Sequence, residues 1–179
     1  MSAPEFSRMI KVRPLPGDRL HIEATEAERA ALAQRFGLPE IRALSADLDL
    51  EQDGKAVRAT GRLNAAITQL CAISGEEFET SIKEPLVLRF VAEGTISQAL
   101  SEDDEIEIEL AADDLDEIEF RGDAFDLGEA VAQSLGLAID PYAEGPNADA
   151  ARNREGISSD EDQAPSGPLA EALRALKKE

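Results

Sequence analysis

Between Ile41 and Val91 the apolar residues fall on every second position. Leu44, Ala46, Leu48 and Leu50 alternate with Ser45, Asp47, Asp49 and Glu51, and after a turn at Asp53-Gly54 the series Val57, Ala59, Gly61, Leu63, Ala65 and Ile67 continues it. A period of two places one face of a strand in a core and the other in water. EFETSIKEPLVLRFVAEG adds further extended chain, with Pro85 marking an edge or a bend. In EIEIEL, Ile106, Ile108 and Leu110 face one way while Glu105, Glu107 and Glu109 face the other, and IEF at 118–120 reads as a last short strand. An antiparallel meander is the simplest topology for this series.

Two stretches change the period. Thr25 stands three residues before Glu28, the spacing of a capping box, and ERAALAQRF followed by Gly37 and Pro39 predicts a helix over 26–36. Asp126 and Glu129 repeat that spacing ahead of a stripe of Leu127, Val131, Leu135 and Ala138, which predicts a helix packed on the sheet. Upstream, RMIKVRPL and RLHIEA are joined by Pro16-Gly17-Asp18, which predicts a β-hairpin over 8–23. The expected fold class is therefore α+β: a meander with an N-terminal and a C-terminal helix packed on it.

The pattern stops after Pro141. Residues 144–168 contain no Leu, Val or aromatic residue, too little apolar area to offset the entropy of ordering, so 142–168 is expected to be a disordered acidic linker. In PLAEALRALKKE, Leu169, Leu173 and Leu176 recur at i, i+4 and i+7, and 169–179 reads as a short amphipathic helix on a tether. A helix of this length is marginal in water unless something buries it. The expected division is a domain over 1–141, the linker, and the terminal helix.

Charge alters what such a domain can bind. The formal net charge is −20, from 38 acidic and 18 basic residues, and residues 101–126 alone hold 13 acidic residues against Arg121. A phosphate backbone is bound through clustered Lys and Arg, and no such cluster is present in the sequence. A basic protein is the better match, with Glu105, Glu107, Glu109, Asp113 and Asp114 as the candidate face and Leu169, Leu173 and Leu176 as a second contact. The other reading of the acidic block is a solvated strand face that keeps the protein soluble. A single Cys, no apolar run of spanning length and an N-terminus without an apolar signal region read as a cytosolic chain with no membrane contact.

Candidate chemistry is sparse. LCAISG places Cys71 three residues before Ser74, the spacing of a zinc knuckle, but the chain has one Cys and one His, His21. A half-buried strand cysteine is the other reading, and no surrounding signature supports a nucleophile. The glycines form neither a G-x-x-x-x-G-K nor a G-x-G-x-x-G loop, and a glycosidase-type carboxylate pair would need an aromatic-lined cleft that a chain without Trp does not supply. No catalytic residue, metal or cofactor is expected.

In combination, ITQLCAISGEEFETSIKEPL, DDLDEIEF, DAFDLGEAVAQSLGLAIDPY and PLAEALRAL resemble the YceD family of large-ribosomal-RNA-subunit accumulation proteins. The most specific part is the helix segment that opens with Asp126, Leu127, Gly128 and Glu129. The resemblance implies a bacterial or organellar protein without known catalytic activity, whose presence supports accumulation of large-subunit ribosomal RNA. It also implies C-x-x-C at the strand end in many relatives, with further Cys or His in some after the Leu-Ala-Leu-Pro pattern to which the family's helix segment leads. Here Cys71 matches the first cysteine, Ser74 stands in the second position and DPYAEGPNAD contains neither Cys nor His, so the motif resembles a knuckle that keeps its turn without its metal. The expected partner is a basic protein of the large ribosomal subunit or an assembly factor, with ribosomal RNA engaged indirectly. The alternative is an acidic binding module, or chaperone-like cover for a basic protein, without a specific RNA role.

Overall fold

The computed structural model describes residues 5–17, 19–93 and 116–156. In chain order these form β1 (Met9–Lys11), β2 (Leu20–Glu23), α1 (Glu26–Phe36), β3 (Glu40–Asp53), β4 (Ala56–Leu70), β5 (Glu77–Ala92), β6 (Asp116–Phe120), β7 (Ala124–Asp126), α2 (Leu127–Ala138) and α3 (Ala148–Glu155). The fold is α+β. A five-stranded sheet has the order β2-β3-β4-β5-β6, and β1 forms a separate two-stranded sheet with β7.

The alternation between Leu44 and Ile67 becomes the inner face of the large sheet. Leu44, Ala46, Leu48, Val57, Ala59, Leu63 and Ile67 are all buried, and the register sets Ala46 beside Leu63 and Val57 beside Phe90. The ladder between β4 and β5 runs without a shift from Val57↔Phe90 to Leu70↔Glu77. A bulge between Ile41 and Ala43 resets the parity of β3, which returns Ile41 to the core side. Leu127, Val131 and Leu135 of α2 are also buried, and Phe90 stacks on Phe125 with ring centroids 4.1 Å apart while Phe120 tilts against Phe125.

Three expectations are corrected. The 8–23 hairpin does not form: β1 pairs with β7, and β2 pairs with β3. Pro14 and Pro16 supply no N–H to a local ladder, whereas β3 offers β2 an unbroken partner. The last strand of the sheet, β6, runs parallel to β5 rather than antiparallel. The stretch expected to be disordered contains α3, closed at Gly156 and buried through Ala148 and Ala151. Leu, Val and aromatic content was the wrong measure there, because two alanines one turn apart suffice for a close approach. The EIEIEL strand, the terminal helix and residues 157–168 of the expected linker lie outside the described residues.

α1 starts as its spacing predicts. Glu28 N–H donates to Thr25 Oγ1 and Thr25 N–H donates to Glu28 Oε2, closing the capping box. The same carboxylate receives both terminal nitrogens of Arg8, at 2.6 and 2.9 Å, and so ties α1 to β1's lead-in. The Arg8 hydrogen bond, followed by those from Thr25, outweighs burial and lowers the Glu28 pKa from 4.5 to about 2. A carboxyl depressed on folding contributes stability that is complete above its unfolded pKa and is lost as the pH falls through its folded value. The window here runs from 4.5 down to about 2. In urea titrations the stability gap between the wild type and Glu28→Gln should therefore shrink between neutral pH and about pH 3.

Candidate functional site

β4 ends at Leu70 and β5 begins at Glu77, and the turn between them carries the cysteine motif. Cys71 N–H donates to the Glu76 carbonyl at 2.8 Å and Gly75 N–H returns to the Cys71 carbonyl at 2.9 Å. Gly75 has φ +69°, a conformation in which a Cβ would be strained. Inside this loop Ser74 N–H points at Cys71 Sγ, 3.3 Å away, and the Ser74 hydroxyl accepts Glu76 N–H. Cys71 is 3 % exposed, so the sulfur sits in a closed turn and not on a half-buried strand.

A second loop closes over the turn. Ala72 N–H donates to the Ala143 carbonyl at 3.0 Å, and Asn147 Nδ2 donates to Glu76 Oε2 at 2.8 Å. Hydrogen bonding from Ser74, from its side chain first and then its backbone, and from the Gly145 N–H lowers the Cys71 pKa from 9.0 to about 7, against the effect of burial. N–H groups converging on a sulfur favour thiolate and suit a metal-binding knuckle. The ligands do not: among the described residues no three His, Cys, Asp or Glu are placed to hold a metal ion. His21 pairs with Asp47 at 2.8 Å, and Asp47 stands opposite Arg62 on β4. Arg62 is nine residues from Cys71 along that strand, roughly 30 Å by strand rise. Purified protein is expected to carry no stoichiometric zinc by elemental analysis. Cys71→Ser is expected to keep the fold in thermal unfolding, because a hydroxyl oxygen accepts the same N–H groups.

Asp126, Leu127, Gly128 and Glu129 come together as a joint. Asp126 caps α2 by accepting Glu129 N–H, and also accepts Arg8 N–H at 2.8 Å and the Ser7 hydroxyl at 2.6 Å. Leu127 N–H donates to the Arg8 carbonyl, and a Cβ on Gly128 would lie 2.7 Å from both Arg8 N and Phe6 O. Burial disfavours the charged form of Glu129, but its bonds from Arg35 and Gln133 prevail and lower its pKa. The motif thus docks the N-terminal segment. Sequence reasoning missed its partners Ser7, Arg8 and Arg35, which carry no local pattern and are defined only by contacts across the chain.

Glu105, Glu107, Glu109, Asp113 and Asp114, like Leu169, Leu173 and Leu176, lie outside the described residues. On the described surface several arginines are engaged by carboxylates: Arg89 with Asp53 and Glu117, Arg42 with Glu79, Arg58 with Asp53, and Arg121 with Glu93. Such pairing leaves those guanidinium groups less available to phosphate. No helix among the described residues is long and apolar enough to cross a membrane.

Searches of curated proteins and of solved structures gave no match. The family model described as large ribosomal RNA subunit accumulation protein YceD matches residues 59–177. Its first residue falls inside β4, although β4 is paired along its length with β3, so the folded unit extends upstream of the match. With the Cys71 turn, the α2 joint and more than half of the chain inside that match, the chain belongs to the YceD family.

Proposed function

We propose that the protein is a non-enzymatic factor supporting large-subunit ribosomal RNA accumulation and ribosome assembly, acting in the cytoplasm by binding a basic protein. The family match carries this reading. The distribution of charge supports its mechanism: 13 acidic residues and one basic residue between 101 and 126, and arginines elsewhere tied to carboxylates. Glu105, Glu107, Glu109, Asp113 and Asp114 are the proposed contact for a ribosomal protein or assembly factor, and ribosomal RNA is engaged through that partner. Leu169, Leu173 and Leu176 dock on the partner or on the parent domain.

The acidic surplus also favours a second reading, a cover for a basic protein with no specific RNA role. Depletion followed by profiling of ribosomal particles separates the two: the first predicts a selective loss of large-subunit RNA, the second a general loss of solubility of the partner. Reversing the five carboxylates to lysine should abolish copurification of the partner, and wild-type copurification should weaken with salt. Submicromolar binding of ribosomal RNA by the isolated protein, unaffected by the reversal, would overturn the indirect mechanism.

A further inference from the structure

Among the described residues, β5 is paired on both sides only at Leu88, Arg89 and Phe90. β4 covers one edge from Glu77 to Phe90, whereas β6 covers the other only from Leu88 to Ala92. Among the described residues nothing pairs with the β6-side edge of residues 77–87. Its polarity can be deduced. Glu93 N–H donates to the Phe120 carbonyl at the end of β6, so odd-numbered residues of β5 turn their backbone groups towards that side, and the unshifted β4 ladder preserves the parity along the strand. Pro85, which has no N–H to give β4, is odd-numbered as this requires. Glu79, Ser81, Lys83 and Val87 therefore each present an N–H and a C=O to the open side.

The same edge borders an apolar cleft. Leu86 and Leu88 of β5 and Ser134, Leu137 and Ala138 of α2 line a space of about 290 Å³, and Leu137 is 83 % exposed beside it. A strand laid along the edge would direct alternate side chains towards this cleft. Charge selects the strand. Residues 76–87 contain four glutamates and one lysine, in a chain of net charge −20. A second copy of a chain of charge −20 is repelled, and Lys83 and Pro85 are the residue types that discourage edge-to-edge pairing of identical sheets.

We propose that the open edge of β5, residues 77–87, accepts an extended segment of a basic protein as an added strand, with an apolar side chain of that segment in the Leu137 cleft. This rests on the protein-binding reading above and gives it a place. Backbone hydrogen bonds supply affinity in strand addition, and the cleft and carboxylates supply selectivity.

The test uses full-length protein and a synthetic twelve-residue peptide of alternating lysine and valine. Amide exchange should slow at Glu79, Ser81, Lys83 and Val87 on peptide addition. A peptide of the same charge, N-methylated on its backbone, should give no such protection. Ser81→Pro removes an outward N–H without touching the β4 ladder, so it should weaken binding about tenfold and leave the urea midpoint unchanged. Equal binding of the methylated peptide, or full affinity in Ser81→Pro, would overturn the proposal. So would slow exchange at these amides in the free protein, whether from its own chain at high dilution or from a second copy as concentration rises. In cells, if Ser81→Pro supports partner recovery and RNA accumulation while reversal of the acidic block does not, the edge proposal fails and the functional reading stands. If depletion leaves large-subunit RNA unchanged, the functional reading fails regardless of the peptide result.

Discussion

Replacing Phe90 with alanine is expected to cost about 3–5 kcal/mol of folding stability, measured as a shift in the urea midpoint at constant slope. Phe90 is fully buried, sits across from Val57 in the β4 ladder, and stacks on Phe125 at 4.1 Å. Its removal opens a cavity where the sheet, β7 and α2's lead-in meet, and those groups cannot close in together because each is held by its own backbone bonds. The stacked pair adds about 0.5–1.5 kcal/mol beyond buried area. Against a total stability of about 5–15 kcal/mol for a domain, the variant should be marginal at 37 °C. Phe90→Leu keeps most of the volume and should lose about 1.5 kcal/mol or less. A loss under 1 kcal/mol for the alanine variant would contradict this packing.

Gly128→Ala provides a test of sign. In an exposed helix interior the change should stabilise by about 1 kcal/mol, since glycine is the poorer helix former. Here the new methyl carbon would lie 2.7 Å from Arg8 N and Phe6 O and 3.0 Å from Ser7 C. These are backbone atoms and cannot swing aside. Moving them away breaks the Asp126 bonds to Arg8 N–H and the Ser7 hydroxyl and withdraws Phe6, which is completely buried. Overpacking of about 1–3 kcal/mol, together with those lost bonds, outweighs the gain in helix propensity, and a net loss of about 2–3 kcal/mol is expected. Gly136→Ala on the same helix is the control. Its methyl group meets only the rim of the Phe36 ring, at 2.9 Å, a side chain that can shift, so its cost should be smaller. A more stable Gly128→Ala protein would show that the N-terminal segment is not docked as described. Because Phe6 and Arg8 precede the family match at residue 59, the same variant reports whether RNA accumulation depends on that upstream layer.

What could be read from the sequence was local in origin. The period-two series from Leu44 to Ile67 defined the buried face because successive side chains of a strand alternate, and neighbouring strands inherit the choice through register. Helix α1 was legible for a similar reason: Thr25, Glu28 and Gly37 act within one turn of their own backbone. Asp126 and Glu129 marked the start of α2. The remaining features depend on residues distant in the chain. Nothing near β1 indicates that its partner is β7: Pro14 and Pro16 count against a local ladder, but only the docking of Phe6 and Arg8 on α2 selects β7. The direction of β6 is a matter of where the chain returns, which no pattern of side chains encodes. The burial of Cys71 under residues 143–147 and the ordering of α3 rest on backbone bonds such as Ala72 to Ala143, which every sequence can make and only a particular approach of two loops realises. The open edge of β5 is likewise tertiary: Pro85 hinted at an edge, but which residues no other described strand pairs with on that side depends on where β6 meets β5, at Leu88↔Asp116.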